Sequence, residues 1–411
     1  MAATTLCDAR WAMKKILFVT YGSGHVRMVV PVARALAASG LAQVQVLALT
    51  TAAPVARDAD LDVLQFKDFI RPRDSDALAH GRRLMACMSG PIADPAETEA
   101  YLGLCWAELE EDVGPQEAAR RYARDGRQAF LPLRLLRRIL MQVAPAVVVA
   151  TNSPRAERAA LMVSRELGLP SVCMVDLFCL DEVWIWQRDF ADRVCVLNDA
   201  VRTFLITEGR NPDEVSVTGN PAFDTLGDTA SVIAGSFLRK ERGWESKRLL
   251  LWPTQVEPAF HPFNGHAGNP QLPAMALAEV VAWVMARQDT VLCVRPRAGE
   301  TPPSLPQDAR IVVVDQETPL AQLLHAVDVV VTLNSTVGLE GHLAGTRLVQ
   351  VLGSVFDTAM PLKSYGVADE EAVLGSIGSA LDRVVRLPRA AGRQQAGRAT
   401  GRVLEVIRKF L

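Results

Sequence analysis

Hydrophobic positions along the chain cluster in short runs of valine, isoleucine and leucine that do not alternate with polar residues, and stretches with apolar residues at helical spacing lie between them. The first six runs are KILFVTY from Lys15, AQVQVLALT from Ala42, AVVVATN from Ala146, PSVCMVD from Pro170, RVCVLN from Arg193 and VSVTGNP from Val215. A run that is apolar at every position suits a strand covered on both faces, as in a parallel sheet. PVARALAAS, PRAERAALMVSRELG and DAVRTFLITEG read as intervening helices, the last two closing on a glycine suited to a C-cap. RLLLWPT, TVLCVRP, RIVVVD, DVVVTLN and RLVQVLG repeat the pattern in a second block. The pattern predicts an α/β chain of two doubly wound parallel-sheet domains, over 13–225 and 247–395, joined by a connection at 226–246. Two such domains can turn their strand C-terminal edges toward one another across a cleft, and open α/β sheets bind ligands at those edges. Within 396–411, Val403, Leu404, Ile407 and Leu411 recur at helical spacing, which predicts a terminal amphipathic helix. Residues 1–12 read as a disordered leader, with Met13 as an alternative start.

Composition narrows the class. With 411 residues, 49% of them hydrophobic, and a net charge of -2, the chain can bury large cores and carries no global basic field for nucleic acid. The seven cysteines are scattered and never form a C-x-x-C pair, so they read as reduced thiols of a cytoplasmic protein rather than a disulfide framework or zinc site. No run approaches the roughly 20 apolar residues of a membrane-spanning helix.

The first strand runs into Gly22, Ser23, Gly24 and His25. A dinucleotide fingerprint would need a third glycine where Arg27 stands and an acid after the second strand, where LALTT has threonines. What the turn keeps is a histidine at the start of a helix, whose positive end favours the neutral, proton-accepting imidazole. A histidine that only caps or packs is the plainer alternative. In the second block the strand ending at Leu333 leads into Asn334, Ser335 and Thr336 at a helix start, with Glu340 four residues beyond Thr336 on the same face. Free N–H groups and hydroxyls there suit a diphosphate, and a carboxylate beside them can accept hydrogen bonds from a ribose. An N-cap with a dipole-favoured glutamate, and no ligand, is again the plainer reading.

STVGLEGHLAGTRLV, preceded by TPLAQLLHAVDVVVT, resembles the donor-binding segment of GT-B glycosyltransferases and of non-hydrolysing nucleotide-sugar 2-epimerases. EVSVTGNPAFDTL is similar to the segment leading from first to second domain in the epimerases and in capsule and lipid-sugar transferases, and SGHVRMVVPVARAL to the acceptor-side loop of transferases. The resemblance implies a GT-B fold of two Rossmann-like domains facing across a cleft. It implies a metal-independent, inverting transferase of hexosyltransferase type that moves a sugar from a nucleoside diphosphate, such as a UDP-sugar, to a hydroxyl, with no cofactor beyond that co-substrate. His25 would be the base, oriented by Asp176 or, less well, Asp94. Ser335 and Thr336 would hold the diphosphate and Glu340 the ribose. Asn220 would sit at the donor cleft, Thr254 and Gln255 in the loop approaching the phosphates, Arg295 on the leaving diphosphate, and Pro319 and Leu320 beside the base. Gly22, Ser23 and Gly24 would form the acceptor-side loop.

There are departures. Pro31 follows His25 by six residues where the common pattern has three, the aromatic and glutamine-rich donor signature of plant-type enzymes is missing, and YGSGH stands where epimerases carry a GTRPE-like loop. His261 and His266 lie in a Pro/Gly loop rather than on one helix face, which does not suit a metal pair. A nucleotide-sugar 2-epimerase is the alternative reading, and a catalytically dead sugar-nucleotide-binding protein a third. The acceptor, whether a sugar, a lipid-linked compound or another small molecule, is to be met by loops of the first domain and by 76–141. There Arg120, Arg121, Arg124, Arg127, Arg134, Arg137 and Arg138 stand against few acids, and LPLRLLRRILMQV pairs arginines with leucines in a way that suits peripheral contact with the inner membrane face. A solvated helix packed by its apolar side is the simpler reading of the same pattern.

Overall fold

The computed structural model describes residues 13–88, 90, 92–188, 190–261, 264–297, 299–390 and 397–411. The leader expected at 1–12 lies outside them. The chain divides into two compact units, one reaching to Ala222 and including Thr400–Leu411, the other Phe223–Ala399.

The first unit is built on a seven-stranded sheet in the order β3-β2-β1-β4-β5-β6-β7. Its strands are β1 (Lys15–Tyr21), β2 (Gln43–Leu49), β3 (Asp62–Leu64), β4 (Val147–Thr151), β5 (Ser171–Met174), β6 (Arg193–Val196) and β7 (Val215–Val217). Every pairing is parallel, β1 meeting β2 from Lys15 opposite Gln43 to Tyr21 opposite Leu49, and β4 from Ile16 opposite Val147 to Val19 opposite Ala150. Both faces are covered, so Ile16–Val19 and Val147–Ala150 are fully buried, which is why these segments tolerate no polar alternation. Because the chain winds outward on one side from β1 and on the other from β4, these two strands form the switch point at which a doubly wound sheet opens a crevice.

A helical insert fills the interval between β3 and β4. Helices Ser75–Ala86 and Pro95–Val113 approach backbone to backbone: a Cβ on Gly81 would stand 2.2 Å from the Glu99 carbonyl oxygen, and one on Gly103 2.2 Å from that of Ala77. Helix Leu133–Val143 buries Leu135, Leu136, Ile139, Leu140 and Val143 within the unit. Its arginines are held by acids, Arg134 by Asp112, Arg137 by Glu166 and Arg138 by Asp74. Its apolar side packs within the unit, and Arg134 and Arg137 make their ion pairs at the surface. Among the described residues no helix is long and apolar enough to cross a membrane.

The second unit carries β8 (Arg248–Pro253), β9 (Thr290–Arg295), β10 (Ile311–Val313), β11 (Val329–Thr332), β12 (Arg347–Val351) and β13 (Glu370–Ala372), in the order β10-β9-β8-β11-β12-β13 and parallel throughout. Its switch point lies between β8 and β11. One core joins Leu250, Trp252, Val294 and Val331 of the sheet to Val280 and Trp283 of helix Leu272–Met285 and to Leu381 of helix Ile377–Val384. The segment 226–246, expected as a connection, belongs to this unit; its helix Thr229–Glu241 packs on helix Leu320–Ala326. The helix expected at the chain end forms over Ala399–Arg408, and Val403, Leu404, Val406 and Ile407 enter the core of the first unit. Two features thus set the sites: strands buried on both faces, and two switch points where loops part.

Candidate functional site

At the first switch point β1 ends in Gly22, whose φ of +80° is open to glycine at little cost, and helix Ser23–Ala38 begins at once, with the Gly22 carbonyl accepting the N–H of Val26. His25 therefore occupies the first helical turn, half-exposed, with its Nδ1 buried and without a hydrogen-bond partner. The loop after β4 brings in a residue that no motif marked. Glu157, second residue of helix Ala156–Glu166, is fully buried and accepts the Tyr21 N–H at 2.5 Å through Oε1, while its Oε2 has no partner. Burial pushes the Glu157 carboxyl above its usual range, and the nearby charge of His25 is the first influence opposing that rise. No hydrogen bond joins the two groups, so what Glu157 offers His25 is a nearby charge that favours the protonated ring.

Asp176, the carboxylate first expected there, is occupied differently. Its Oδ1 accepts from Asn152 Nδ2 and from the Leu177 N–H, while its own N–H goes to Asn152 Oδ1. Asn152 also donates to Glu182, whose carboxyl is raised to about 7 by burial and by the charge of Asp176. Asn220 is spent on the turn after β7, donating to the Asp176 carbonyl and accepting the Ala222 N–H. Asp94 caps helix Pro95–Val113 and pairs with Lys67 at 2.6 Å.

At the second switch point the loops after β8 and β11 are tied together. Gln255 Oε1 accepts from the Thr332 hydroxyl at 3.1 Å and from the Asn334 N–H at 3.0 Å, leaving its Nε2 buried and unpaired. Asn334 donates to the Ser354 hydroxyl, which in turn donates to Glu257, only 2% exposed. Ser335 caps helix Thr336–Leu343 by accepting the Val337 N–H, and Thr336 stands exposed on its first turn. A Cβ on Gly338 would lie 2.8 Å from Thr332 Cγ2, so glycine lets this helix start close against β11. Thr254 donates to Glu300 at 2.5 Å, which fixes the loop after β9 instead of leaving the hydroxyl free. Arg295, 9% exposed, gives Nη1 to the carbonyls of Asp315 and Thr318 and Nη2 to Gln316 Oε1. Burial lowers its pKa, opposed by the charges of Asp315 and Glu340. Arg295 thus clamps the loop leading to exposed Pro319 and half-buried Leu320, with Glu340 close enough for its charge to be felt. His261 Nδ1 accepts the Asn264 N–H, and His266 is exposed. Glu157, Glu257, Ser354 and Glu300 are the polar residues that sequence spacing did not signal; each acts through a partner far along the chain.

No protein-family model and no curated protein sequence matches the chain. Solved structures do match it, and they are GT-B glycosyltransferases and UDP-GlcNAc 2-epimerases; the chain has the GT-B fold. Among them are UDP-GlcNAc 2-epimerase from Neisseria meningitidis bound to UDP-GlcNAc (11% identity, 96% of this chain and 100% of that one, TM-score 0.59) and the glycotransferase of kitacinnamycin (15%, 97% and 99%, 0.59). The calicheamicin glycosyltransferase CalG4 is a third (15%, 97% and 98%, 0.56).

Proposed function

We propose that the chain is a metal-independent glycosyltransferase that takes a sugar from a nucleoside diphosphate, UDP in the first instance, and passes it to a hydroxyl acceptor with inversion. The observation that carries this reading is the His25 imidazole in the first helical turn at a sheet switch point, within reach of the charge of the buried Glu157 carboxylate. In it, His25 removes the acceptor proton, the oxygen attacks the anomeric carbon from the face opposite the diphosphate, and the nucleoside diphosphate departs. The first-turn N–H groups and the Ser335 and Thr336 hydroxyls stabilise the charge that develops on the leaving group, Glu340 holds the ribose, and the loop clamped by Arg295 walls the base. No cofactor is required beyond the donor, and the protein works in the cytoplasm.

A second reading, nucleotide-sugar 2-epimerisation, is favoured by Asp176 and Glu182 sharing Asn152, since a carboxyl raised to about 7 suits proton transfer at carbon. Incubating the pure protein with a panel of UDP-sugars and no acceptor separates the readings. Slow release of UDP supports the transferase, a new sugar-nucleotide epimer supports the isomerase, and binding with neither leaves a sugar-nucleotide-binding protein.

A further inference from the structure

Beside the ends of β1 and β2 the first unit contains a cavity of about 240 Å³. Tyr21 and Tyr101 line it with ring centroids 5.3 Å apart, and Met88, Ile92 and Leu102 complete an apolar wall. That volume lies just below the usual range for a whole drug-sized ligand, so it suits a single ring. Tyr21 joins the cavity to the turn bearing His25. Thr50, also in the lining, is held at φ +49°, a strained conformation for a β-branched residue of the kind that collects at binding sites.

The polar lining is selective. Asp94 is neutralised by Lys67 and accepts the Glu97 N–H, and the Thr98 hydroxyl donates to the Asp94 carbonyl, so neither is open to a sugar's many hydroxyls. Tyr101 Oη is buried without a partner. Arg127 reaches into the lining, donating to Tyr21 Oη at 2.9 Å, and Arg155 lies 4.1 Å from the centre of the Tyr21 ring. Among the described residues neither makes an ion pair, although the charge of Arg155 is felt by the buried Glu157 carboxylate. Arg127, in the lining with no carboxylate on it, presents a guanidinium that can take an anion from outside.

We infer that this cavity seats the acceptor, and that the acceptor is a hydroxylated aromatic ring bearing a carboxylate: the ring packs against the Tyr21–Tyr101 pair and the carboxylate lies on Arg127. The inference rests on the transferase reading and sharpens its acceptor class. Its test is to titrate the full chain, without donor, with 4-hydroxybenzoate and with its neutral isostere 4-hydroxybenzamide, following ligand resonances by NMR. The wild type should bind the carboxylate about tenfold more tightly, Arg127→Lys should keep most of the preference, and Arg127→Ala should abolish it. Arg127 is exposed, so these variants should fold. Equal affinity for the two probes, binding of neither, or a preference that survives Arg127→Ala overturns the inference. UDP titrated separately into the wild type keeps the two ideas apart. Bound UDP with no ring preference sinks the acceptor class alone, and a ring preference without UDP binding sinks the donor reading alone.

Discussion

At the scale of single residues, two buried glutamates behave differently from any surface acid. Glu157 stands behind His25, so His25→Ala should abolish transfer while UDP binding, read by calorimetry, is unchanged. Glu157→Gln should lower kcat by about tenfold or more with little change in donor KM, because it removes the group that steadies the imidazolium rather than a donor contact. Turnover retained in the alanine variant would take His25 out of the mechanism. Glu97 is buried under the loop carrying Lys67, whose N–H it accepts, and burial raises its carboxyl from 4.5 to about 7. Between those values the folded chain keeps a proton that the unfolded chain has lost. Stability should therefore fall by up to about 3 kcal/mol as pH rises through that window and level off above it. Glu97→Gln should flatten this slope in urea titrations at pH 5, 6, 7 and 8; a parallel slope in the variant would refute the assignment. The histidine was legible from the strand-turn-helix pattern alone. Glu157 was not, because its role depends on β4 lying beside β1, a pairing between positions more than a hundred residues apart that leaves no local signature.

At the scale of elements, the strands were legible because burial on both faces imposes uniform apolarity, a signal each segment carries by itself. The stretch 76–141 was legible as helical but its packing was not, since that rests on Gly81 and Gly103, which look like poor helix formers until their partner backbone is known. Helix propensity alone says that Gly103→Ala should stabilise by about 1 kcal/mol. Contact geometry says the reverse, and we expect a net loss of about 1–3 kcal/mol. Gly401 is the control: exposed on helix Ala399–Arg408, with open space where a Cβ would stand, it should stabilise by up to about 1 kcal/mol when changed to alanine. Urea midpoints of the two variants moving in the same direction would contradict this account. The arginines of helix Leu133–Val143 teach a related lesson. Their spacing is shared by membrane-surface helices and by packed ones, and nothing in the sequence signals that Asp74, Asp112 and Glu166 lie beside them.

At the scale of the whole molecule, the first unit is completed by the last residues of the chain. Lys14 donates to the carbonyls of Phe410 and Leu411, and four apolar residues of the final helix fill the first core. Deleting 400–411 uncovers that core, so it should lower the thermal midpoint of the first unit and increase dye binding to apolar surface, while a truncated chain that melts unchanged would show the helix to be dispensable. The periodicity of 396–411 announced the helix but not its destination, which depends on where the chain has travelled by then. The threading has an evolutionary and practical corollary. Because residues 223–399 leave the first unit and the chain then rejoins it, the second unit is topologically an insertion, with both junctions on one host. On the transferase reading, exchanging it as a cassette between Ala222 and Thr400 should change which activated sugar is used and leave acceptor choice intact, which assays of such chimaeras would check.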